Sequence, residues 1–357
     1  MKTVERATVL ASTAKLFPLL GPVTTDELID LIRLELGHAE ILDGFRPYAG
    51  GFSHAVPNDP LLHVISGNTP HAGLQSLIRG LLLGAHNFVK LPSGGTREIE
   101  DFVKLLPGSL AKKVVTTVNL PDQWLSECRT CILFGSDATI AHFRQRLPAE
   151  TSFEAHPHRI SLGIVFEDPN DSAPLAAADV ARFNQKGCLS PHDIYVAGDA
   201  RSYAARLANE LAQLERQDPR GEITALEAAE IADIRANYRF RSASDPRVAL
   251  WESEHSTAWT VIYEQDTWFA SSCLNRLVFV KPLPADLAGA LGPALPWVAA
   301  IGVWPATPEN AERAARLQPS RICALGQMQK PPLSWHQEGR QTLAPLVRWV
   351  DFEPNLR

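Results

Sequence analysis

From about residue 60 onward, short apolar runs alternate with amphipathic stretches of helical period, the pattern of a parallel sheet covered by helices. LLHVIS (61–66) predicts a strand. Thr69 then caps a helix that starts at Pro70, where a missing N–H costs nothing, and continues through GLQSLIRGLLLGAH. NFVK (87–90), VVTTV (114–118) and TCILFG (130–135) read as further strands, the last running into the helix SDATIAHFRQRL at Ser136. These four strands make a nucleotide-domain candidate. Upstream, Thr24 and Glu27 form a capping box for TDELIDLIRLEL, whose Leu28, Ile29, Leu31, Ile32 and Leu36 make an apolar face.

Residues 149–157 read as a loop, after which ISLGIVF (160–166) opens a second domain with strands near DIYV, AWTVIY, LVFVK and WVAAIGVW. ARSYAARLANELAQLERQ reads as an amphipathic cover. TLAPLVRWVDFE (342–353) has strand character from Leu346 and is expected to return to the first domain or to a neighbouring subunit. The fold class is α/β, with boundaries expected at 1–158, 159–341 and 342–357.

The 357 residues are 45% hydrophobic and 21% charged, which excludes disordered and collagen-like classes. A net charge of −6 and the lack of a long basic run speak against nucleic acid as a partner. Five cysteines, an odd number with no secretory leader in view, predict reduced thiols and a cytoplasmic protein. The uncharged stretch 287–308 is interrupted by Pro293, Pro296 and Pro305, so it predicts a buried strand between loops and no membrane span.

Chemistry concentrates in a few windows. In NQKGCLSPH (184–192), Cys188 follows a glycine between a helix and a strand; Gly187, Lys186 and His192 could supply the close approach and the cation that a thiolate needs. The window alone equally allows a small buried hydrophobe. Asn68, in SGNTPHAG at the end of the first strand, can offer an uncharged N–H to an oxyanion, or simply serve the turn. Gly135 and Ser136 open a helix whose N–H groups could face a pyrophosphate, and Lys90 ends its strand where it could reach a ribose or phosphate. Cys128 and Cys131 form a CxxC with no second pair at zinc-finger spacing, and the histidines show no metal-ligand pattern, so no metal is expected. His156 and His158, in AHPHR, could exchange protons near neutral pH.

Taken in order, these segments resemble the aldehyde dehydrogenase superfamily, and within it the fatty acyl-CoA reductases that supply aldehyde to bacterial luciferase. HVISGNTPHAGLQSLIRGLLLGAHNFVKLPS, FGSDATIAHFRQ and NQKGCLSPH carry the likeness, and SRICALGQMQKPPLSWHQEGR followed by LVRWVDFE is its most specific part. The resemblance implies two parallel-sheet domains, a Rossmann-like cofactor domain with an N-terminal helical segment (1–158) and a catalytic domain (159–341), closed by a returning C-terminal strand (342–357). It implies Cys188 as nucleophile, Asn68 as oxyanion donor, and Lys90, Ser93, Gly135 and Ser136 as contacts to NADPH or NADH. Sliding the superfamily's Glu-Leu-Gly-Gly stretch over HPHRISLGIVFED puts His156, or else His158, where hydrolytic members carry a glutamate. Without that glutamate the acyl-enzyme should persist long enough to be reduced. The expected reaction is reduction of a long-chain acyl thioester, on coenzyme A or a carrier protein, to the aldehyde. An acyltransferase or thioesterase without reduction, and a non-catalytic binding subunit, are the alternatives. The chain is short for that branch, mainly before His63, which leaves a homo-oligomer and an acyl-protein synthetase partner as family expectations.

Overall fold

The computed structural model describes residues 1–48, 50–68, 70–167 and 172–354. The chain divides into two units, Met1–His158 with Lys330–Arg357, and Arg159–Gln329.

The first unit carries a wholly parallel sheet of β3 (Leu61–Val64), β4 (Asn87–Lys90), β5 (Val114–Thr117), β6 (Thr130–Phe134) and β7 (Ser152–His156) in the order β5-β4-β3-β6-β7. Strand alternation divides the core. Leu61 faces the helix Pro70–Leu83, where Leu74, Leu77, Ile78 and Leu81 pack with Leu10, Leu28 and Ile32 of the amino-terminal helices. Leu62 and Val64 face the other way, onto Trp124, Leu133 and Phe143. Each such side chain contributes about 1.5–3 kcal/mol by leaving water. The capping box at Thr24 is present, with the Glu27 N–H donating to Thr24 Oγ1 and the Thr24 N–H to Glu27 Oε2. Thr69, the expected cap of the next helix, lies outside the described residues.

Two sequence expectations need correction here. Residues 152–156, read as loop, are an edge strand registered on β6 from Thr130 opposite Ser152 to Phe134 opposite His156. Residues 330–341, assigned to the second domain, pack with the first. Gln75 Nε2 donates to the Pro331 carbonyl at 3.0 Å and Arg79 Nη2 to the Leu333 carbonyl at 2.9 Å, side-chain contacts that a linear reading cannot see. The returning strand β15 (Val347–Phe352) pairs antiparallel with β2 (Gly51–Pro57), which also pairs with β1 (Arg46–Tyr48). What secures the return is Glu35, whose buried carboxylate accepts from the backbone N–H groups of Thr342, Leu343 and Ala344.

A polar node lies inside this unit. Asn87 Nδ2 donates to the Ala85 carbonyl at 2.8 Å, which turns its Oδ1 toward His63 Nε2 at 2.9 Å. The ring therefore carries its proton on Nε2 and accepts at Nδ1 from Ser76 Oγ, 2.8 Å away. Burial disfavours the imidazolium and holds the His63 pKa down to about 4, only partly opposed by the Asn87 bond.

The second unit is a seven-stranded sheet of β8 (Ile160–Val165), β9 (Pro191–Val196), β10 (Val248–Glu252), β11 (Thr260–Glu264), β12 (Leu277–Pro282), β13 (Val298–Trp304) and β14 (Arg321–Ala324). Its order is β10-β11-β12-β9-β8-β13-β14, and only β10 runs antiparallel to its neighbour. Small residues let helices Ser172–Ala181 and Ala200–Gln217 sit close on one face, through Ala176, Ala177, Ala204 and Ala208. Leu162, Ile164 and Tyr195 fill the other face. Among the described residues no helix is long and apolar enough to cross a membrane.

Glu35→Ala leaves buried N–H donors without an acceptor and should cost about 2–4 kcal/mol, read by denaturant unfolding together with faster amide exchange across residues 342–352. The His63 ring gives a pH signature. Its folded pKa lies below the unfolded 6.5, so the unfolded chain binds the extra proton, and this contribution to stability falls as pH drops from about 6.5 to 4. The loss approaches about 3 kcal/mol at the lower end. In His63→Gln, stability should change less steeply over that interval than in the wild type.

Candidate active site

In the first unit the chain leaves β3 outward to β4 and β5, then crosses to β6 and β7 on the other side of β3. That makes β3 and β6 a topological switch point, where the carboxyl ends of parallel strands leave a crevice. Asn68 follows β3, Lys90 ends β4 with Ser93 just beyond, Gly135 and Ser136 follow β6, and His156 ends β7. Six residues singled out in the sequence thus share one edge of one sheet.

Their environments differ. Asn68 is exposed, and its amide makes no hydrogen bond among the described residues. Ser136 caps the helix Asp137–Arg146, its Oγ accepting from the Thr139 N–H at 3.3 Å, which leaves the first N–H groups of that helix open. Lys90 is half-buried and makes no ion pair among the described residues. The His156 ring stacks on Phe134, centroids 4.6 Å apart at 16°, and its Nδ1 lies 3.0 Å from Glu338 Oε1. His158 is exposed beyond the strand end. Among the described residues no three His, Cys, Asp or Glu side chains converge as a metal site.

In the second unit Cys188 is exposed, at the amino end of β9. The backbone on either side of it is held firmly. Phe183, Asn184 and Gln185 all take positive φ, 52°, 53° and 62°, a left-handed run that costs non-glycine residues about 1–2 kcal/mol each. Side-chain bonds offset that strain. Asn184 Nδ2 donates to the Arg220 carbonyl at 3.0 Å and Gln185 Nε2 to the Pro191 carbonyl at 2.8 Å. Ser161 Oγ donates to the Cys188 carbonyl at 2.7 Å, and Gln329 Nε2 to Ser190 Oγ at 3.0 Å. Neither Ser161 nor Gln329 was legible as part of this loop, because each reaches it from a distant part of the chain.

The two neighbours expected to assist the thiol are engaged elsewhere. Lys186 Nζ pairs with Glu227 Oε1 at 2.5 Å, and this bond, ahead of those from Thr224 and Asn275, holds the Glu227 carboxyl down to about 2. His192 is buried within β9, where its Nδ1 accepts from the Ser272 N–H at 3.0 Å. The strand begins at Pro191, so His192 is carried into the sheet and away from the turn. The other four cysteines are buried or half-buried, and burial pushes the thiols of Cys128, Cys273 and Cys323 up to about 11, and that of Cys131 upward as well.

The two α/β units have the fold of the aldehyde dehydrogenases. The fold matches the NAD-dependent benzaldehyde dehydrogenase of Corynebacterium glutamicum (TM-score 0.66, 13% identity, 99% of this chain and 86% of that one). It matches aldehyde dehydrogenase C of Pseudomonas syringae, solved with NAD+ and octanal, similarly (TM-score 0.69, 12% identity, 99% and 84%). Within that fold, the acyl-CoA reductase (LuxC) family model matches residues 7–349, and the chain belongs to this family of oxidoreductases. It is 21% identical over 344 residues to long-chain acyl-protein thioester reductase 2 of Photobacterium leiognathi, covering 91% of this chain and 70% of that protein. With the long-chain acyl-protein thioester reductase of Aliivibrio fischeri it shares 22% over 349 residues, at the same coverages.

Brief maleimide treatment of the folded protein should label Cys188 first and leave Cys128 and Cys131 unlabelled until denaturant is added, as peptide mapping would record. Equal labelling of all five would contradict the burial described.

Proposed function

We propose that the protein reduces a long-chain acyl thioester to the aldehyde with a reduced nicotinamide cofactor, through a thioacyl group on Cys188. The observation that carries this reading is the exposed thiol on a rigidly held loop, in a chain of the acyl-CoA reductase family. The names of the relatives from Photobacterium leiognathi and Aliivibrio fischeri, long-chain acyl-protein thioester reductases, favour a long acyl chain held as a thioester.

In this reading the Cys188 thiolate adds to the thioester carbonyl carbon, and the carbonyl π pair moves onto oxygen. Asn68 Nδ2–H and the Cys188 backbone N–H are assigned to that oxyanion. Collapse breaks the bond to the carrier sulfur, which leaves as thiolate and takes a proton from the imidazolium of His156, with His158 the alternative; the imidazole regains that proton from solvent in each turnover. A bound reduced nicotinamide would supply the hydride that brings the thioacyl carbon to the aldehyde level. The alkoxide then re-forms its carbonyl, breaks the bond to Cys188 and frees aldehyde and thiolate. The cofactor suits the β3/β6 crevice: the ammonium of Lys90 lacks an ion pair among the described residues, and the open N–H groups after Ser136 fit phosphate oxygens, with Ser93 and Gly135 beside them. In hydrolytic aldehyde dehydrogenases a glutamate activates water at the place the resemblance gives to His156, and its absence here favours reduction over hydrolysis.

The test mixes purified protein with long-chain acyl-CoA and with acyl-carrier protein, each with NADPH or NADH, and traps aldehyde. Nicotinamide loss matched by aldehyde is expected in the wild type and absent in Cys188→Ala. Asn68→Ala should lower turnover about 100-fold or more without unfolding the chain. Acyl on Cys188 with no nicotinamide loss would instead make the protein an acyltransferase or thioesterase, and no acylation from any donor would make it a binding subunit.

A further inference from the structure

His156 is held on three sides within the first unit. Its ring lies against Phe134, its backbone ends β7, and its Nδ1 meets Glu338, whose carboxylate side chain is only 9% exposed. A carboxylate can only accept, so Nδ1 carries the proton and Nε2 is the working atom. Nε2 has no hydrogen-bond partner among the described residues, and the ring lines a small cleft with Ser76, Arg79, Glu154 and Arg340. The second Glu338 oxygen is also engaged, accepting from Arg340 Nη2 at 3.3 Å, while the same Nη2 donates to the Ala155 carbonyl at 2.9 Å beside His156.

The backbone that delivers Glu338 is unusual for the residue it carries. Glu338 and Gly339 are the central residues of a tight turn closed by the Arg340 N–H on the Gln337 carbonyl at 3.1 Å, and both have positive φ, 54° and 74°. Turns with two such residues favour Asn-Gly or Asp-Gly, because a longer side chain pays for the left-handed conformation. A glutamate kept there needs a reason, and strain of this kind gathers at functional positions.

We infer that Glu338 is the positioning residue of His156: it fixes the ring orientation and the Nδ1–H tautomer, so that Nε2 is presented for proton transfer, and it stabilises the imidazolium that forms there. The inference rests on the reading of His156 as the proton-transfer group of the reductase. No bond to carbon or sulfur changes at Glu338; one proton arrives at and leaves Nε2 in each turnover.

Glu338→Gly separates this role from a structural one, since glycine suits the turn better than glutamate does. The variant should melt no lower than the wild type, yet make aldehyde at least about tenfold more slowly. Glu338→Asp, which tolerates positive φ and keeps a carboxylate, should recover part of the rate. Two-bond proton–nitrogen NMR at about pH 8, where imidazole is ordinarily neutral, should show His156 as the Nδ1–H tautomer in the wild type and the Nε2–H tautomer in Glu338→Gly, with the signal assigned through His156→Gln. A wild-type rate or an unchanged tautomer in Glu338→Gly overturns the inference, as does a wild-type rate in His156→Gln. If the wild type itself yields no aldehyde, the reductase reading fails, while the tautomer arm still decides whether Glu338 governs the ring.

Discussion

One buried carboxylate ties the first unit together. Glu35 lies in the last turn of the helix Thr25–Leu36, where the helix dipole disfavours a negative charge. Its compensation comes from elsewhere in the chain, three successive N–H groups of residues 342–344 that converge on it. The charge also lies in the field of the buried Arg79 guanidinium, whose pKa burial lowers to about 10 against the pull of Glu35. The stretch that begins at Lys330 is held as well by the carbonyl bonds from Gln75 and Arg79, by Arg340 on the Ala155 carbonyl and by the pairing of β15 with β2. Glu35 fixes the segment between the turn that carries Glu338 and β15.

The proposed chemistry divides along the same lines as the architecture. The thiol assigned as nucleophile sits on a loop held by bonds from Ser161, Gln185 and Gln329, while the groups assigned to cofactor and proton transfer line the carboxyl edge of another sheet. At the loop rigidity comes from side-chain amides and a hydroxyl, mostly bonded to backbone, whereas at the sheet edge His156 is held by Glu338 and Arg340. A preorganised site needs this kind of support, because donors that must reorient during reaction lose much of their electrostatic value.

Much of this was legible in the sequence, and the misses share a cause. The central strands read as apolar runs because they are covered on both faces. The strands that escaped the reading of the two parallel sheets, β7, β10 and β14, all lie at sheet edges. Ser152–His156 has a single large apolar residue, Phe153, since one partner and partial exposure ask for no more. Cys188, Asn68 and Lys90 were singled out from local context alone, and the roles given to them are proposals. His192, near Cys188 in sequence but set apart from it by Pro191, is carried by β9 into the core. Glu338 gave no local sign of its contact with His156, being 182 residues away along the chain.

The second unit is one unbroken stretch, Arg159–Gln329, inserted into the first. Ser53 bonds to Asp351 across 298 residues, so the first unit spans almost the whole chain. During synthesis the inserted unit can close on itself as soon as it emerges, whereas its host waits with β2 paired to β1 alone until β15 is made. The order of manufacture is therefore the reverse of the order of reading, and the part begun first is the part finished last.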